Sequence, residues 1–332
     1  MPKPSWPGWR QPARTSAGSR PWPAVPVSAS TPCALPACRC SPCPSPAGQL
    51  SEWRAAWAVS VAVRRFRPDV VLAHNVSASL TARIAAPRRP LVTVFHGVAE
   101  ADVAGAVKVL RRVSDRVVAV ADAAADRLRE AGLAAEVIPT RCSVGTLRGP
   151  GLAAAALGTA PDVPVALCPA RLEPQKRHDV LLDAWASVGG RAELWLAGDG
   201  SLRGQLEEQA ARLDGVRFLG TRTDVRDLLE AADVTVLTSD WEGMPIALLE
   251  SLAAGRPVVA SDVDGVREVL AGGGGVLVPR RSPAETAKAL RALLSSPLAR
   301  AVAVSRDGSA DAHTLMKSYD ELLRTVLEAR RR

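Results

Sequence analysis

Short β-branched runs recur along the chain from Pro68 onward: VVLA (70–73), LVTVF (91–95), RVVAV (116–120), EVIP (136–139), VPVALC (163–168), ELWLA (193–197), VRFL (216–219), VTVLT (234–238), PVVAS (257–261) and GVLVP (275–279). Each is mostly apolar rather than alternating, the pattern of parallel strands covered on both faces. Helical periodicity fills the gaps, for example DVLLDAWASV (179–188), RGQLEEQAARL (203–213) and IALLESLAAG (246–255). Strands alternating with helices of this length predict βαβ crossovers and parallel sheets. A stretch rich in glycine and alanine, 146–162, interrupts the alternation and reads as a linker. The pattern predicts an α/β chain with two Rossmann-like domains, 51–145 and 163–308, and a final helix over 309–332. Open sheets of this kind bind ligands at the carboxyl ends of their strands, so the cleft between the domains is the expected ligand site.

Composition changes the picture only at the amino end. At 47% hydrophobic and 23% charged, the 332 residues exclude a collagen-like, coiled-coil or disulfide-scaffold protein. Residues 1–50, however, hold 12 of the 26 prolines and four of the six cysteines, and no Asp, Glu, His, Asn, Ile, Phe or Tyr. They supply five of the formal net +8, so the basic balance gives no reason to expect nucleic acid. Such a segment cannot bury enough apolar surface to offset its ordering entropy and is expected to be disordered. Its composition is also that of GC-rich coding sequence read out of frame. Cys33, Cys38, Cys40 and Cys43 lie among Pro, Ser and Ala with no strand or helix signal, so they are not read as a zinc site. No apolar run reaches 18 residues, and prolines interrupt any signal-peptide core. The expectation is a cytoplasmic protein.

Two segments carry candidate chemistry. SDWEGMPIALLE (239–250) follows the run VTVLT directly. It places Glu242 in a loop and Glu250 in the next helix, with Gly243 allowing close backbone approach and Pro245 suiting a first helical turn. The exposed N–H groups at such a helix start suit a diphosphate or a hydroxyl-rich sugar. A capped helix with two solvated glutamates would read the same way. PARLEPQKRHD (169–179) follows VPVALC and sets Arg171 and Lys176 at another strand's carboxyl end. Two fixed cations there would balance a diphosphate, and an ordinary basic loop is the alternative.

Taken in order, ARLEPQK, LAGDGSLRGQLEE, FLGTRTDVRDLLEAADVTVLTSDWEGMPIALLESLAAGRPVVASDVDGVREV and GGVLVP resemble the group 1 retaining glycosyltransferases of GT-B fold. The likeness is dense over 163–280. It is sparser over 67–139, through RPDVVLAHN, VTVFHG and VVAVADAAADRLREAG–EVIP. The resemblance implies transfer of a hexose, with retention, from a nucleotide-diphosphate sugar to an acceptor that is a glycan, a lipid or a small molecule. It implies no cofactor and no metal, and leaves a peripheral membrane contact open. Residue by residue, Glu242 matches a glutamate beside the transferred sugar, and Gly243 and Met244 match backbone N–H donors to that sugar or its phosphate. Glu250 matches a ribose-binding glutamate. Arg171 and Lys176 match the pair at the leaving diphosphate, and Gly220 to Asp224 match the loop facing the base. His96 matches a histidine on the amino-terminal wall of the cleft, giving His96 and Glu242 as the catalytic candidates. His74 remains open, and His178 and His313 are read as surface residues.

Some features do not fit that frame. Asp262 and Asp264 look like a metal-binding D-x-D but fall in a strand-to-helix turn. GDGSLRG (198–204) misses the dinucleotide spacing. The family's opening strand and glycine-rich turn have no counterpart, so the first domain is expected to be incomplete, with an apolar edge at VVLA. TRCSV (140–144) stands where a hinge motif is usual. A nucleotide-sugar-binding remnant with impaired transfer, and a sugar epimerase on the same fold, are the alternative functions.

Overall fold

The computed structural model describes residues 47–140, Ala154, 157–296 and 312–331. The expectations for residues 1–46, the cysteine group among them, and most of the 146–162 linker lie outside the described residues. The first described element, α1 (Ala47–Phe66), is one that the hydrophobic pattern did not predict. It consists largely of good helix formers but opens inside the segment that composition had set apart.

Two parallel sheets follow. The first contains β1 (Val71–His74), β2 (Leu91–Phe95), β3 (Arg116–Ala119) and β4 (Glu136–Val137), in the order β1-β2-β3-β4. Helices α2 (Val76–Ala85), α3 (Val103–Val113) and α4 (Asp122–Glu130) are the crossovers. Phe95, Val107, Leu110, Val117 and Leu128 pack on one face. β1 is an edge strand, and its Leu72 is exposed.

The second sheet contains β5 (Val165–Cys168), β6 (Glu193–Ala197), β7 (Val216–Gly220), β8 (Val234–Leu237), β9 (Val258–Ser261) and β10 (Gly275–Val278). Its order is β10-β9-β8-β5-β6-β7. The crossovers are α5 (His178–Val188), α6 (Arg203–Ala210), α7 (Val225–Ala231), α8 (Ile246–Ala253) and α9 (Asp264–Leu270), and α10 (Pro283–Leu294) follows β10. The chain moves outward from β5 to β7, returns to β8 beside β5, then moves outward the other way. That reversal opens a crevice above the carboxyl ends of β5 and β8, where doubly wound sheets hold their ligands.

The last helix, α11 (Ala312–Arg331), returns to the first sheet: Leu322 and Val326 pack with Val92, Val118 and Ile138. His178 departs from the sequence expectation. It is not at the surface but fully buried, because it opens α5 on the same face as Leu181, Leu182 and Trp185. His313 falls in α11, where its side chain is outside the described residues.

Candidate functional site

The loops after β5 and β8 carry both sequence candidates to the switch point. Thr238, just past β8, donates its hydroxyl to the carbonyls of Lys176 and Arg177 at 3.1 and 2.9 Å. Asp240 N–H donates to Gln175 O at 2.9 Å, and Gln175 Nε2 donates to Trp241 O at 2.8 Å. The two loops are thereby sewn together by backbone partners. Lys176 Nζ then lies 2.5 Å from Glu242 Oε1, and Ser239 Oγ donates to the same oxygen at 2.6 Å. The Lys176 and Glu242 side chains are only 15% and 8% exposed. Lys176 and Glu242 were read from separate motifs; the fold makes them one ion pair.

Asp240 anchors the assembly from behind. Arg281 grips its carboxylate with Nε and Nη2, both at 2.8 Å, and Arg177 Nη1 lies 3.4 Å away. These arginines hold the Asp240 carboxyl below its usual range, Arg281 contributing most. Arg177 and Arg281 sit at φ 49° and 55°, two of four non-glycine residues with positive φ among those described. Sequence reading singled out neither Asp240 nor its arginines, because three separate loops supply them.

Gly243 sits where three backbones meet. A Cβ at that position would lie 1.8 Å from His96 O, and one at Gly265 would lie 1.7 Å from Gly243 O. Gly97, at φ 90°, packs on the same side, with its Cβ direction 3.3 Å from Gly243 Cα. The first sheet's His96-Gly97 turn therefore touches the loop that begins α8. Met244 packs against the cores of both sheets. The contact is reinforced farther out, where Arg127 pairs with Asp264 and Ala123 N–H donates to Glu268 Oε2 at 3.3 Å.

The remaining candidates take distinct places. Glu250 is half-buried on α8, and burial raises its carboxyl above the usual range, partly opposed by Arg226. Arg171 is exposed on a loop held from below, since Leu172 N–H donates to Asp199 O at 3.0 Å and Glu173 accepts from Ser201 N–H and Oγ at 3.1 and 2.7 Å. Gly220 ends β7 at φ 66°. Asp224 precedes α7, but its carboxylate is held by Arg222 through bonds of 2.8 and 2.6 Å. Asp262 is likewise held by Arg267 at 2.6 and 2.9 Å and Asp264 by Arg127, so neither carboxylate is free.

The family models decide what this arrangement belongs to. The model for group 1 glycosyl transferases matches residues 163–296, the second sheet with its switch-point loops. The model for glycosyltransferase family 4 matches residues 17–140, the first sheet and much of the segment before it. The chain belongs to the group 1, family 4 glycosyltransferases. The family 4 match starts at residue 17, inside the segment that composition set apart, so that segment is not wholly outside the family's alignment.

Among family relatives, a lipopolysaccharide core biosynthesis glycosyltransferase, LpsE of Rhizobium meliloti, is 34% identical over 46% of this chain and 46% of its own. A GDP-mannose-dependent phosphatidylinositol dimannoside mannosyltransferase of Mycobacterium tuberculosis is 36% identical over 38% of this chain and 34% of its own. The matches to these two relatives thus span about a third to a half of their length. The fold agrees more widely. HepE from Anabaena, solved with UDP-glucose, superposes with a TM-score of 0.72 at 25% identity, covering 85% of this chain and 84% of that one. Sucrose-phosphate synthase from Thermosynechococcus elongatus gives 0.71 at 20% identity, over 84% and 79%. The architecture is therefore GT-B: two Rossmann-like sheets, as the sequence pattern predicted. Among the described residues no helix is long and apolar enough to cross a membrane.

Proposed function

We propose that this chain binds a nucleotide-diphosphate hexose at the β5–β8 switch point and transfers the hexose to an acceptor with retention of configuration. The observation that carries the reading is the meeting of Lys176, Glu242 and Ser239 beneath Gly243, against His96 of the other sheet. Breaking the sugar–phosphate bond builds negative charge on the diphosphate. In this reading Arg171 and Lys176, the latter also paired with Glu242, balance that charge, and the start of α8 adds a partial charge of the same sign. Removing one such preorganised contact typically costs about 10²–10³ in rate. Glu242, paired with Lys176, stands beside the sugar, and His96 supplies a hydrogen-bonding group from the other wall. Glu250, with its carboxyl raised by burial, accepts a ribose hydroxyl. Gly220 to Asp224 face the base. UDP-glucose in HepE and GDP-mannose in the mycobacterial relative define the donor classes to test.

The exposed edge at β1 supports a second reading, a binding protein with weak transfer, because both walls must hold the reacting atoms in line. Calorimetry separates the pieces. UDP-glucose or GDP-mannose should bind the purified chain, and Glu250→Ala should weaken that binding at least about tenfold, the value of one hydrogen bond to a charged group. Equal affinity in parent and variant would remove Glu250 from the donor site. Donor hydrolysis by the parent distinguishes an enzyme from a binding remnant.

A further inference from the structure

β1 and β2 end alike. β1 closes on His74, and the chain turns at Asn75 with φ 86°; β2 runs to Phe95, and His96 is followed by Gly97 at φ 90°. A non-glycine residue at φ 86°, ψ 170° occupies backbone space that only glycine enters readily, at a cost of order 1–3 kcal/mol. Three bonds offset it. Asn75 N–H donates to Val94 O at 2.9 Å, and Asn75 Oδ1 accepts from Ala78 N–H at 2.8 Å and from Ser77 Oγ at 3.0 Å. The parallel register sets His74 beside Val94, so His96 lies two residues farther on, with the same side-chain parity. The result is a direct contact: His74 Nδ1 and His96 Nε2 are 2.9 Å apart, with ring centroids at 5.2 Å and planes 28° apart.

Two imidazoles joined by one N–H···N bond constrain each other. One facing nitrogen carries a proton and the other does not, so both neutral rings must adopt the same tautomer. Burial lowers the pKa of both rings, and His74 lowers that of His96 further, so the neutral forms dominate near pH 7. If His74 Nδ1–H donates, His96 presents Nδ1–H outward and His74 presents a bare Nε2. If His96 Nε2–H donates, the two outward atoms exchange roles. In either case the pair shows one donor and one acceptor at the wall that touches Gly243. That pattern matches a sugar hydroxyl, which both accepts and donates.

The geometry points to His74 as a positioning residue that couples the tautomer of His96 to its own, so that this wall always offers a sugar hydroxyl one donor and one acceptor. The proposal rests on the donor reading given above. His74 is solvent-facing at the end of an edge strand, so replacing it leaves the core intact. Asparagine retains a hydrogen-bonding group near the Nδ1 position; phenylalanine retains only the ring. Long-range ¹H–¹⁵N NMR of the full chain should show His74 and His96 in one shared tautomer. In His74→Phe, where no hydrogen-bonding group faces Nε2, the His96 tautomer populations should shift. An unchanged His96 tautomer in His74→Phe overturns the proposal. Calorimetry with UDP-glucose and GDP-mannose, against UDP and GDP as sugar-free probes, gives the second arm. His74→Phe should weaken the nucleotide sugar that binds by about three- to tenfold, the value of one hydrogen bond, and leave the free nucleotide unchanged. His74→Asn should restore most of the loss. Equal weakening with and without the sugar would overturn the role in sugar recognition. If neither nucleotide sugar binds the parent, the donor reading fails, while the tautomer arm still decides the pairing.

Discussion

Acidification tests the interior of the second sheet through His178. The imidazole is fully buried at the start of α5, its Nε2 lies 3.5 Å from Cys168 Sγ, and its Nδ1 has no hydrogen-bond partner among the described residues. Burial pulls its pKa from 6.5 down to about 4, and nearby Lys176 pushes in the same direction. Between those two values the unfolded chain binds a proton that the folded chain refuses. The stability is therefore complete above about pH 6.5 and is lost progressively as the pH falls toward 4. Between about pH 7.5 and pH 5 the loss attributable to this one group is about 2 kcal/mol. His178→Leu puts an apolar side chain of similar size in the same place and removes the titration. The assay is urea unfolding followed by tryptophan fluorescence, since Trp185 belongs to the same core and Trp195 is fully buried in the same sheet. The parent's midpoint should fall by about 1 M urea more than the variant's on acidification, for an unfolding slope of about 2 kcal/mol/M. His74 and His96, also lowered by burial, act in the same direction but are present in both proteins and cancel. Parallel loss in parent and variant would show that His178 is not held neutral by the fold.

Other outcomes follow from single contacts. Gly243→Ala places a methyl 1.8 Å from His96 O, so the two walls of the cleft must separate; transfer should fall by about 10²-fold while the chain's far-UV circular dichroism is retained. Retained activity in that variant would mean that the walls need not touch. Cys168 is buried with its thiol pushed up to about 12, so peptide mass spectrometry should find it alkylated only after unfolding. If Arg171 and Lys176 balance the diphosphate as proposed, transfer should survive EDTA; a complete and metal-reversible loss would move the site elsewhere.

All ten strands among the described residues were legible in the sequence because a strand in a covered parallel sheet must be apolar along its length, whatever its neighbours. Helical periodicity between those runs gave the crossover helices, and the motifs that follow two of the runs gave loops at strand carboxyl ends. It did not give α1, whose alanine-rich run carries no strand to alternate with. His178 was missed for a related reason: read beside Lys176 and Arg177 it looks like part of a basic loop, although its spacing to Leu181, Leu182 and Trp185 marks the buried face of a helix.

The site divides along the same line. Glu242, Gly243, Glu250, Arg171 and Lys176 were visible as loop and helix-start residues, because strand ends and turns are written in a few consecutive positions. That Lys176 and Glu242 form one ion pair, that Arg177 and Arg281 converge on Asp240, and that His74 meets His96 were not visible. Those contacts join residues separated by 66, 63, 41 and 22 positions, and strand order, register and backbone turns at positive φ bring them together. The need for glycine at 243 is of the same kind. In sequence it reads as a glycine that lets a ligand approach the backbone; in the fold glycine is the one residue type small enough to lie between His96 O and Gly265. A one-dimensional pattern records which side chains must leave water. Which of them touch is fixed only when the sheets close over the crevice.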